Sequence, residues 1–73
     1  MPPAEELNFG NLTESIQRHL QALGYDVGDT NGEMSMSTAI AISTFQAEKG
    51  MAVTGEVSPQ LLGILSAEVD SRR

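Results

Sequence analysis

The tightest constraint in the sequence is an apolar stripe closed by a glycine. Leu12, Ile16, Leu20 and Leu23 recur at i, i+4, i+8 and i+11, and Gly24 follows at once. That period puts all four side chains on one face of an amphipathic helix. Glycine adopts the left-handed C′ conformation without a Cβ penalty, so Gly24 is the expected stop. Asn11, with Glu14 three residues on, predicts the N-cap and a near capping box. A chain that begins with such a helix must find a partner for its apolar face.

The remaining sequence supplies two partners. Tyr25 to Gly32 is rich in Gly, Asp and Asn, the composition of a loop with tight turns. Ser35 or Ser37 then caps a second helix, in which Thr38, Ala41, Ile42 and Phe45 share a face and Gly50 is the stop. Met51 to Gly55 leaves room for a turn or one strand-like pairing, with Gly55 as the turn that aims the next element. Ser58-Pro59 reads as N-cap and N1 proline of a third helix. Its apolar face is expected from Leu61, Leu62, Ile64 and Leu65, with fraying toward Asp70. The expected fold is all-α, a compact three-helix bundle with long glycine-rich loops.

Seventy-three residues allow one domain. Residues 1–10 are expected to be a flexible tail, with Phe9 able to return to the domain; 11–67 form the domain, and 68–73 a second flexible tail. No cysteine is present, which removes disulfides and thiolate metal sites. A formal charge of −6 with four basic residues cannot build a phosphate-neutralising face, so nucleic acid is excluded as a partner. No stretch reaches membrane-spanning length, and Met1 to Glu6 lacks the basic start and apolar run of a signal peptide. The chain reads as a small soluble protein or a domain cut from a longer one, and as a monomer.

Chemistry-bearing patterns are few. An EF-hand alignment that places Gly32 at loop position six puts Val27 and Thr38 where carboxylates are required, and fails. His19 is the lone histidine, no G-x-S-x-G elbow exists, and Glu5-Glu6 lie in the tail, so neither a triad nor a zinc site can be assembled. A carrier protein would place a modified serine near Ser35 or Ser37, but the Asp-Ser-Leu signature is missing. No cofactor, metal site or catalytic residue is expected, and the domain reads as non-enzymatic.

The order of features is more specific than any one motif. Ile16-Gln17-x-x-Leu20-x-x-Leu23-Gly24-Tyr25 is followed by Asn31-Gly32, then by Thr38-x-x-Ala41-Ile42-x-x-Phe45-Gln46. Gly50-Met51, Gly55 and the Ser58-Pro59 helix reaching Leu65 complete it. This succession, over about residues 12 to 66, resembles the bacterial peptidoglycan-binding domain found beside cell-wall hydrolases. The chain departs from that pattern at Asn31, where aspartate is usual, at Ser35, where glycine is common, and at Leu61, where threonine is usual. The same bundle resembles the propeptides of matrix metalloproteinases, whose zinc-blocking cysteine has no counterpart.

The resemblance implies a module of the cell envelope. It would bind the stem peptide or glycan of peptidoglycan and tether covalently linked domains or an envelope complex to the wall. The alternative is a protein–protein interaction or structural module that reuses the bundle. Loop donors and acceptors on a rigid frame suit such a ligand, which makes Tyr25, Asp29, Asn31, Gln46 and Thr54 the candidate contacts. The competing reading is structural. Tyr25 would pack under its loop, and the Gln17 and Gln46 amides would donate to and accept from loop backbone.

Overall fold

The computed structural model describes residues 9–72, in the order α1 (Phe9–Ala22), α2 (Met36–Glu48) and α3 (Pro59–Ser71). No strand occurs among the described residues. The expected tail falls largely outside them, as does the side chain of Phe9. One sequence expectation needs correction: α1 starts at Phe9, so Asn11 lies inside its first turn and is not the cap.

Helix α1 is the element on which the others assemble, packing along α3 and more briefly against α2. Its stripe delivers Ile16 and Leu20 to the core, with Leu12 and Leu23 packed at its edge. Thr38, Ala41, Ile42 and Phe45 of α2 are all buried, as the period requires. From α3 only Leu61 and Leu65 are fully buried; Leu62 is half-buried. Ile64 stands 39% exposed, contrary to its expected place on the apolar face, because one residue's rotation from Leu65 carries it off the buried arc. Val27, from the polar loop after α1, completes the core at 1% exposure.

The caps explain where the helices begin and end. Ser35 accepts from the Thr38 N–H at the start of α2, and Ser58 from the Leu61 N–H at the start of α3. Helices α1 and α2 end in the same turn. Gly24 (φ 97°) and Gly50 (φ 70°) occupy the left-handed region. The Tyr25 N–H reaches Leu20 O at 3.0 Å and Gly24 N–H reaches Gln21 O at 3.0 Å, while Met51 and Gly50 repeat the pattern on Gln46 and Ala47. This paired arrangement satisfies carbonyls that a helix end otherwise leaves open. Helix α3 has no such glycine and runs on to Ser71, past the expected fraying point.

Candidate functional site

Two buried glutamines fix the loops that could carry function. Gln17, fully buried in α1, donates through Nε2 to Glu33 O at 2.9 Å and to Thr38 Oγ1 at 3.0 Å. Its Oε1 accepts from Gly32 N–H at 2.9 Å. The amide therefore holds the α1–α2 loop by its backbone and reaches into α2 at the same time. Thr38 extends the network, donating to Val27 O and accepting from Ser35 Oγ. No buried side-chain nitrogen or oxygen among the described residues lacks a partner.

Gln46 does the same for the α2–α3 loop. Its Oε1 accepts from Thr54 N–H at 2.9 Å and Gly55 N–H at 3.0 Å, and its Nε2 donates to Thr54 Oγ1. Thr54 Oγ1 also accepts from Glu56 N–H, which bends the chain toward α3.

The loop pinned by Gln17 forms one wall of an open cleft of about 290 Å³ at the start of α2. Asp29, Asn31, Glu33 and Ser37 supply its polar groups and Met34 an apolar one. Asn31 Oδ1 accepts from Glu33 N–H at 3.0 Å, so its carbonyl shapes the turn while its NH₂ remains for a ligand. The carboxylates of Asp29 and Glu33 give the cleft a negative rim.

Of the five candidate contacts, the fold brings Asp29 and Asn31 together in this cleft and joins Gln46 to Thr54 in the other loop. Tyr25 stands apart from both. Its ring meets Phe45 edge-on at 6.1 Å, and its hydroxyl donates to the Glu48 carboxylate. That hydrogen bond, reinforced by burial and by the Glu48 charge, pushes the Tyr25 hydroxyl up to about 12. Beside it, Lys49 lies 5.9 Å from the Phe45 ring centroid and pairs with Glu68 of α3 at 2.7 Å. The Lys49 hydrogen bond holds the Glu68 carboxyl below its ordinary range.

The sequence offers Ser35 or Ser37 as the cap, of which the structure uses Ser35, and it does not single out Glu33 or Met34 as contacts. The available signal was a methionine pair, Met34 and Met36, standing 47% and 80% exposed in a polar segment. Among the described residues, no three of His, Asp or Glu gather where a metal ion could sit, and no helix is long and apolar enough to cross a membrane.

Comparison with known families matches residues 9–65 to the peptidoglycan binding domain. Neither the curated proteins nor the solved structures give a match. The family match runs from the first turn of α1 to Leu65, the last core residue of α3, and so takes in every core residue and both glutamine clamps. On that extent, the chain belongs to the peptidoglycan binding domain family.

Proposed function

We propose that the domain is a non-catalytic module that binds peptidoglycan in the cell envelope and tethers a partner enzyme or envelope complex to the wall. The observation that carries this reading is the family match across residues 9–65. The cleft at the start of α2 supports it, because its donors and acceptors sit on a loop that Gln17 makes rigid. Stem peptides present amides and ammonium groups. Asp29 can accept from ammonium and amide N–H groups, the free amide hydrogens of Asn31 can donate to amide carbonyls, and the Thr54 loop with Gln46, and Tyr25, would make separate contacts.

Co-sedimentation with purified insoluble sacculi tests the proposal. The domain is expected in the pellet, and recovery wholly in the supernatant at both low and moderate salt would overturn it. NMR titration with muropeptides is expected to shift the amides of residues 28–37 first.

A second reading, docking to a protein, has one observation in its favour. Met36 and Ile40 lie one turn apart on α2 and stand 80% and 59% exposed. Met36→Lys with Ile40→Lys is expected to leave sacculus binding intact; loss of a protein partner without loss of sacculi would favour this reading.

A further inference from the structure

We propose that Asn31-Gly32 is a self-modification site that the Gln17 amide holds off in the folded domain. The chemistry is deamidation. The backbone nitrogen of Gly32 gives up its proton to water and attacks Cγ of Asn31, forming a new N–C bond. The side-chain nitrogen leaves as ammonia, taking that proton's equivalent from solvent, and a five-membered succinimide remains. Water then adds across one of the two C–N bonds of the ring, leaving aspartate or isoaspartate at position 31. No oxidant or reductant takes part.

The local sequence favours the reaction. Asn31 is exposed to the water it needs, and Gly32 has no side chain to obstruct ring closure. The fold opposes it at both reacting groups. The Gly32 N–H is bound to Gln17 Oε1 at 2.9 Å, so the nucleophile keeps its proton and its position. Asn31 Oδ1 is bound to Glu33 N–H, which ties the side chain to the nitrogen two residues on and restricts the rotation that ring closure needs. Glu33 is held in turn, because its carbonyl accepts from Gln17 Nε2 at 2.9 Å. Gln17 is itself fully buried and anchored on Thr38, so it cannot swing aside without breaking the polar network between α1 and α2.

The state of this loop therefore sets the rate. Opening it frees the Gly32 nitrogen, and closing it slows the reaction. The product changes the cleft, because a third carboxylate joins Asp29 and Glu33 on its rim. An isoaspartyl residue also lengthens the backbone by one carbon, which moves Gly32 N–H off Gln17 and prevents the loop from closing again.

Intact mass and peptide mapping of the folded chain at mildly alkaline pH test the inference. Conversion at Asn31 adds about 1 Da. It is expected to run about tenfold slower in the folded chain than in urea, the factor that one hydrogen bond's share of a barrier sets. Equal rates would overturn the proposal. Gln17→Ala, with its helices intact by circular dichroism, is expected to convert at the urea rate; a folded variant that stays slow would remove Gln17 from the role. Should that variant unfold, hydrogen exchange on the unaltered chain decides. A protected Gly32 amide is expected, and one that exchanges at the rate of open loop would overturn the proposal.

Discussion

Both interhelical loops leave their helices through the same glycine turn, with Tyr25 N–H on Leu20 O and Met51 N–H on Gln46 O. Both are then gripped by a glutamine amide that uses its donor and its acceptor. The grips differ in reach. Gln17 bonds partners 15 to 21 residues away, one of them the buried Thr38 of another helix. Gln46 bonds partners 8 and 9 residues away, within the loop that follows its own helix. The first clamp closes tertiary structure and the second shapes a turn. Similar local chemistry thus carries unequal energetic weight, because one group released by breaking the first clamp, Thr38 Oγ1, is fully buried, whereas Thr54 faces water.

Substitution should expose that inequality. Gln17→Ala removes a buried bond to Thr38 Oγ1 and the partners of two loop backbone groups, and is expected to cost about 2–3 kcal/mol in urea melts. For a domain of this length that is most of a net stability of roughly 3–5 kcal/mol. Gln46→Ala is expected to cost about 1–2 kcal/mol, since water can reach the groups it leaves. Equal losses for the two variants would break the comparison. Gln46→Ala should also lose stability before it loses sacculus binding; an unchanged melting point with lost binding would make Gln46 a ligand contact.

Thr54→Val removes the acceptor for Gln46 Nε2 at an exposed position and is expected to cost about 0.5–1 kcal/mol. A further effect is one of pH, at the residue that follows the first glycine turn. The Tyr25 hydroxyl is raised from 10.0 to about 12 in the folded chain, so its contribution is whole below pH 10.0 and is lost as pH climbs through about 12. Ultraviolet titration of the single tyrosine should show this high midpoint, and Tyr25→Phe should flatten the alkaline loss of stability. A midpoint near the ordinary value would mean that the Glu48 contact is not kept in solution.

Much of the fold was legible because its signals are local. The Leu12–Leu23 stripe, the Ser58-Pro59 start and the glycine stops each act within one or two turns, and the chain obeys them. The start of α1 was misplaced because a capping residue is informative only if the helix does not continue through it, and here it reaches Phe9. Ile64 was misassigned because four apolar residues crowd a narrow arc, and only packing against α1 decides which of them face it. The structural reading of the two glutamine amides was available from residue type, but their partners were not. Gly32, Glu33 and Thr38 meet Gln17 only after the chain has folded. The cleft is a product of the same closure, and for that reason Glu33 gave no sign of belonging to it and Met34 only the hint of a methionine pair.

The three cations among the described residues are all committed inside the fold: Arg18 to Glu14, and Lys49 and Arg72 to Glu68. The surface is net anionic, at a formal −6 for the chain. In a matrix that itself carries carboxylates, such a particle is repelled by the bulk of the mesh and held only where short-range contacts outweigh that repulsion. Added salt should then tighten retention, as screening removes the penalty of approach, in contrast to the weakening expected of a basic anchor. The internal pairing of Arg18, Lys49 and Arg72 thus leaves retention on the proposed ligand to short-range contacts rather than to net charge.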